Sequence, residues 1–275
     1  MPLDERIAAF LTASAAVPPP ASLAAMRAAT ETGLRQLQGE AEPSGGVRDY
    51  TVVAADGHRM ALRAYLPAGE NGTTAQPAML FAHGGGWCLG SLALYDRPCQ
   101  ALANATGRVI LSVDYRLAPE YPFPQPLEDV YQALCWVAQR APQLARDRGG
   151  PYIERQLLLY PALSREMATK SYREFAEGHF LTRDAMVFCW QQYLGQRRDP
   201  GAEPLHAATL RGLPPAAILS CEYDPLRDEA EQYAQRLREA GVTVRCERLP
   251  GMVHACIHML GLTPAARRLF ELARE

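Results

Sequence analysis

An α/β fold with a mostly parallel sheet flanked by helices is predicted by three features of this sequence. Continuous apolar runs recur at "AMLFAHGGG", "RVILSVDYR", "QLLLYPAL" and "AAILSCEYD", as expected of strands covered on both faces, and "VTVRCERLP" completes the series. Segments with helical spacing alternate with most of these runs, the pattern of parallel α/β architecture. Residues suited to chemistry follow the runs directly, at the carboxyl edge of the sheet, where ligands of such folds bind.

The totals narrow the function. A length of 275 residues with 48% hydrophobic content suits one domain with a sizeable core. A net charge of −2 gives no basic surface for nucleic acid, so a small-molecule partner is expected. Seven cysteines (Cys88, Cys99, Cys135, Cys189, Cys221, Cys246, Cys256) are scattered and odd in number, without Cys/His pairing. They indicate neither a disulfide framework nor a zinc site, and read as small buried side chains in a reducing compartment. The apolar stretch "IAAFLTASAAV" follows Asp4 and Glu5 where a signal peptide wants positive charge, so it reads as a helix. No segment approaches the ~20 apolar residues of a membrane span. A soluble, cytoplasmic protein without a membrane partner is expected, its oligomeric state left open.

In chain order, Leu3, Ile7, Phe10 and Leu11 form one helical stripe and Leu23, Met26, Leu34 and Leu37 another, divided by "VPPP". They predict a helical cap over about residues 1–45. "DYTVVAADGHRMALRAYLP" is a hairpin about the Asp56-Gly57 turn. A helix from about Leu92 to Ala105 links the first two buried strands, and "FPQPLEDVYQALCWVAQRA" starts the next, with Leu127, Val130, Tyr131, Leu134 and Val137 as its apolar stripe. After "QLLLYPAL" a mixed polar and aromatic stretch, about 164–195, predicts a second cap segment. Helices from about Leu226 to Ala240 and Pro264 to Glu275 complete the series.

Three motifs carry chemistry. In "FAHGGGWCLGS" a glycine triplet, Gly84, Gly85 and Gly86, follows a buried strand. Backbone that turns tightly and aims N–H groups at a ligand needs glycine, and such donors stabilise the oxyanion of acyl transfer; the alternative is a plain turn. In "DYRLAPEYPFPQPLEDV" Asp114 and Arg116 are spaced to pair on a structural loop. "CEYDPLRDE" puts Asp224 between a strand and a helix, and "LPGMVHACIH" puts His254 after the last strand. Alone, the first would be a helix cap and the second a loop histidine; together they suit the orienting acid and general base of a hydrolytic triad.

"HGGGW", "DYRLAPE", "YDPLRDE" and "GMVHAC" resemble, in order and context, the bacterial hormone-sensitive-lipase family of carboxylesterases, within the α/β-hydrolase fold. The resemblance covers nearly the whole chain, including the two-part cap, since "SYREFAEGHFLTRDAM" resembles its second segment. It implies that Gly85 and Gly86 donate in an oxyanion hole with Gly84 shaping the turn, that Asp224 is the triad acid and His254 its base, and that no metal or organic cofactor is needed.

What the family pattern requires and this chain lacks is the nucleophile. The G-D-S-A-G elbow, with its strand and helix, should follow "DVYQALCWVAQRA", yet "QLARDRGGPY" runs directly into the next strand and no G-x-S-x-G exists anywhere. A strand, turn and helix amount to roughly 25 to 30 residues. None of Ser14, Ser22, Ser44, Ser91, Ser112, Ser164, Ser171 and Ser220 has elbow context, and nothing marks Cys88 as a replacement. The missing strand would lie near mid-sheet, so re-closure is expected, with "QLLLYPAL" moving beside "AMLFAH". The sequence thus points to an ester hydrolase by lineage, severely impaired or inactive. A non-catalytic binder of small esters or carboxylates, or a deletion product, are the alternatives.

Overall fold

The computed structural model describes residues 1–17, 20–72, 76–139 and 153–274; the stretch Gln143–Tyr152 lies outside the described residues. Helix α1 (Glu5–Ser14) starts where the Asp4 carboxylate accepts from the Arg6 and Ile7 N–H groups, and α2 (Leu23–Leu37) is capped by Ser22. Strands β1 (Gly46–Val53) and β2 (Arg59–Leu66) form the expected hairpin, with Gly57 at φ 85° in its turn, a value that suits glycine. Next come β3 (Ala78–Ala82), α3 (Leu92–Thr106), β4 (Val109–Val113), α4 (Gln125–Gln139) and β5 (Gln156–Leu159). Then follow α5 (Lys170–Glu174), α6 (Arg183–Leu194), β6 (Ala216–Tyr223), α7 (Arg227–Glu239), β7 (Val244–Val253) and α8 (Arg267–Arg274).

The strands form two sheets, in the orders β1-β2-β4-β3 and β5-β6-β7. Pairing is parallel for β3 with β4, β5 with β6 and β6 with β7. The expected re-closure has therefore not occurred: "AMLFAH" and "QLLLYPAL" end separate sheets and do not pair.

Packing explains why. On one face a single core cluster unites both sheets, taking Leu94 and Leu102 of α3, Ile110, Leu219, Val253, and Leu269 and Phe270 of α8. Met79 and Phe81 of β3 and Leu157 and Leu159 of β5 point into this same cluster. Moving β5 across to β3 would drag β6 and β7 with it, away from the helices that bury them. On the opposite face there are two clusters. One lies between α4 and the first sheet around Leu62, Val113 and Ala133, and the other between α7 and the second around Ile218, Ala234 and Leu237. The residues of β3 and β5 are half-buried or exposed, whereas four of the five in β4 and six of the eight in β6 are buried. Backbone groups on the facing edges can thus reach water, which removes the desolvation penalty that would otherwise drive closure.

The apolar stripe of α4 divides accordingly. Val130 and Val137 pack on the first sheet, but Leu127 and Tyr131, expected in the core, are 49% and 54% exposed.

The expected Asp114–Arg116 pair is also corrected. Arg116 forks onto Asp129 of α4, at 2.9 Å from Nε and 2.6 Å from the terminal nitrogen, and reaches Asp56 of the hairpin turn at 2.7 Å. Asp129 sits one helical turn inside α4 and is fully buried, so it, and not strand-end Asp114, can enclose the guanidinium. Burial would raise the Asp129 pKa, but the hydrogen bonds from Arg116 outweigh it and hold the carboxyl below its usual value. Arg116→Met leaves that carboxylate buried and unpaired, and is expected to lower stability by about 3 kcal/mol, read from the urea midpoint.

Candidate active site

Two strand ends of the second sheet bring Asp224 and His254 together. Asp224 follows β6, is completely buried, and its Oδ2 lies 2.8 Å from His254 Nδ1. Its other oxygen accepts from the Leu226 N–H at 2.9 Å, so the carboxylate is fixed by the entry to α7 while it orients the imidazole. The helix itself starts at Arg227 with Leu226 as its N-cap and no side-chain cap, so Asp224 holds the turn ahead of the helix and is not the cap expected from the sequence. His254 follows β7 directly, and the tight turn after it places Ala255 at φ 63°. Its ring meets Tyr160 edge-on at 4.7 Å, and its Nε2 has no hydrogen-bond partner among the described residues. A histidine whose Nδ1–H is held by a carboxylate presents Nε2 as a base.

The glycine loop belongs to the first sheet. His83 follows β3, stacks on Tyr115 at 4.3 Å, and accepts on its carbonyl from the Tyr115 hydroxyl at 2.6 Å. Gly85 and Gly86 have φ 129° and 57°. A Cβ on Gly85 would stand 2.1 Å from the Leu89 carbonyl oxygen, and one on Gly86 2.3 Å from Cys189 Sγ. The Leu89 N–H closes the turn onto the Gly85 carbonyl at 2.9 Å. Among the described residues the Gly85 and Gly86 N–H groups themselves donate to no acceptor, the state an anion-binding loop requires. A Cβ on Gly84 would stand 2.9 Å from the Tyr95 hydroxyl.

Helices α2 and α6 meet this loop from two directions. Arg27 of α2 donates from Nε to the Cys88 carbonyl at 2.9 Å and from Nη2 to the Ala118 carbonyl at 3.1 Å, and forks onto Glu120 with two contacts of 2.7 Å. From α6, Tyr193 stacks on Trp87 at 4.2 Å with the ring planes 1° apart, and Trp190 lies 4.6 Å from the same ring. Arg27 escaped sequence reasoning because a single arginine on a helix surface gives no sign of the loops it will bridge.

No serine reaches His254. Ser164 pairs instead with His206 at 2.8 Å, Ser171 with the Pro225 carbonyl at 2.7 Å, Ser220 with Glu231 at 2.9 Å and Ser91 with Glu31 at 2.6 Å. Beside the pair lie two groups sequence reasoning also missed. His258 is buried, accepts from Gln38 at 2.8 Å, and burial pushes its pKa down to about 3, aided by His254 and His83, so it stays neutral. Glu229 is buried, accepts from the Leu163 N–H at 2.8 Å, and burial lifts its pKa to about 8. Among the described residues no group of three or more histidines, cysteines or carboxylates is placed to hold a metal ion.

A family described by the alpha/beta hydrolase fold matches residues 79–145 and 138–258. The carboxylic ester hydrolase LipN of Mycobacterium tuberculosis is 36% identical over 234 residues, covering 73% of this chain and 61% of LipN, so the match spans under two thirds of that relative. The ethyl acetate hydrolase of Pseudomonas putida is 29% identical over 252 residues, covering 81% and 79% of the two chains. A thermostable esterase from Pseudomonas putida superposes with a TM-score of 0.90 at 32% identity, over 99% of this chain and 96% of that one. The chain belongs to the hormone-sensitive-lipase-like carboxylesterase family of the α/β-hydrolase fold.

Glu229 sets a pH dependence. The unfolded chain loses this proton near the ordinary carboxyl value of 4.5 and the folded chain only at about 8, so the stability it contributes is full below the lower value and is lost as pH rises through the window. Glu229→Gln keeps a neutral acceptor for Leu163. Its stability relative to the parent is expected to rise by about 1 kcal/mol per pH unit across that window, in urea melts at about pH 5 and pH 8.

Proposed function

We propose that this chain is an ester-hydrolase scaffold that retains the acid–base pair Asp224–His254 and the oxyanion loop Gly84, Gly85 and Gly86 but holds no nucleophile, so that it binds small acyl esters or carboxylates without appreciable turnover. The observation that carries this reading is the 2.8 Å Asp224–His254 pair whose free imidazole face meets no serine among the described residues. Removing a triad nucleophile lowers turnover by about six orders of magnitude, while free glycine N–H groups still suit a carbonyl or carboxylate oxygen. The family match breaks into two blocks meeting at residues 138–145, where the sequence lacks its strand, elbow and helix.

In this reading residues 1–275 form one domain with cap segments at about 1–45 and 164–195. The contacts of Arg27 and Tyr193 with the glycine loop support it. Ester hydrolysis by the relatives supports a small acyl ligand here, and the apolar cap cluster around Phe123, Met186 and Trp190 suits an apolar acyl chain. No helix among the described residues is long and apolar enough to cross a membrane. The half-open β3 and β5 edges and the exposed Leu127 and Tyr131 favour one other reading, a deletion product that folds but binds little.

A fluorophosphonate probe is expected to leave the intact mass of the purified chain unchanged, and saturable quenching of tryptophan fluorescence by butyrate is expected from ligand entering beside Trp87. A covalent adduct that disappears in His254→Ala would overturn the reading, and peptide mapping would name the nucleophile. Absent quenching would leave the deletion product.

A further inference from the structure

Cys88 and Cys189 lie in different parts of the fold, 101 positions apart in sequence, yet their sulfurs stand 3.8 Å apart. Cys88 closes the glycine loop and is fully buried; Cys189 comes from cap helix α6 and is 6% exposed. The contact is built by the loop itself, since a Cβ on Gly86 would lie 2.3 Å from Cys189 Sγ and 2.8 Å from its Cβ. The bare glycine is what admits Cys189. A disulfide needs sulfurs about 2 Å apart, so a modest approach of the cap and the loop completes one.

We propose that Cys88 and Cys189 form a peroxide-responsive disulfide that fastens the cap to the oxyanion loop. In the first step the Cys88 thiolate attacks one oxygen of hydrogen peroxide, the O–O bond breaks, and the departing hydroxide takes a proton to leave as water, giving Cys88 sulfenic acid. Cys189 Sγ then attacks Cys88 Sγ, the S–O bond breaks, and the hydroxyl leaves as a second water with the Cys189 proton. Two thiols and one peroxide become one disulfide and two waters, with the sulfurs oxidised and the peroxide oxygens reduced.

The surroundings select the first thiol. The Cys189 contact and the positive charge of Arg27 outweigh burial and hold the Cys88 thiol below its usual value, while the same contact and burial push Cys189 up. The attacking species is the thiolate. A second pair supplies an internal contrast: Cys221 and Cys256 are 3.6 Å apart beside Asp224 and His254. Burial pushes Cys221 well above the usual thiol range, and Asp224 beside it raises it further where Arg27 lowers Cys88. This pair stays reduced.

The test treats the 275-residue chain with hydrogen peroxide, blocks remaining thiols, and maps peptides without reduction. The expected result is a chain lighter by two hydrogens, a Cys88–Cys189 cross-link, a raised melting temperature reversed by dithiothreitol, and Cys221 and Cys256 recovered as blocked thiols. In Cys189→Ala the cross-link is lost and Cys88 gains oxygen instead. Cys88 recovered as a free thiol, a cross-link between Cys221 and Cys256 only, or oxidation confined to methionine would each overturn the proposal. The mapping of the unsubstituted chain decides the matter even where Cys189→Ala fails to fold.

Discussion

The helix layer formed by α3 and α8 is the constraint on which the rest of this structure depends. It presents one continuous apolar surface to both sheets, so that β3 and β5 are held in a common core although they do not pair. Burial at about 25 cal/mol per Å2 of apolar surface is non-directional, whereas strand pairing requires a neighbour at about 4.8 Å. The first can bridge a break that the second cannot. The opposite face shows what is lost when the bridging layer is missing: α4 and α7 each cover their own sheet, the clusters beneath them are separate, and Leu127 and Tyr131 look into solvent.

The candidate site divides along the same line. The Asp224–His254 pair is assembled wholly by β6 and β7, and the glycine loop by β3, Tyr115 and the cap. Each half is internally complete. What joins them is a short run of aromatic and imidazole rings: Tyr95 of α3 stands against Gly84 and meets the His258 ring edge-on at 4.5 Å, and Tyr160 at the end of β5 meets His254 at 4.7 Å. Arg27 plays the matching part in the cap, binding α2 to the Cys88 carbonyl, the Ala118 carbonyl and Glu120 together.

Much of this was legible in the chain. Continuous apolar runs marked the strands, of which β4 and β6 are buried over most of their length and β3 and β5 are not, and the Asp56-Gly57 turn marked the hairpin. The positions of Asp224 and His254 at strand ends followed from the same reasoning, and the structure brings them into contact. The failures share a cause. Pairing of β5 with β3 was inferred from the cost of burying open edges, but those edges are half-exposed, a property of the whole fold that no local pattern encodes. Asp129 displaced Asp114 as the partner of Arg116 because depth of burial, not sequence spacing, chose between two carboxylates. Leu127 and Tyr131 have the spacing of a core stripe, yet a stripe is buried only if a neighbouring element exists to cover it.

The central claim is that the chain keeps an acid–base pair and oxyanion donors in working relation and lacks only a strand, an elbow and a helix between α4 and β5. The direct measurement is to insert a strand, a G-x-S-x-G elbow and a helix between the two elements and assay p-nitrophenyl butyrate. The account predicts hydrolysis about 10,000-fold or more above the ungrafted chain, abolished by His254→Ala. A folded graft that remains at the ungrafted rate would contradict it, showing that Asp224, His254 and the glycine loop are not held in catalytic register.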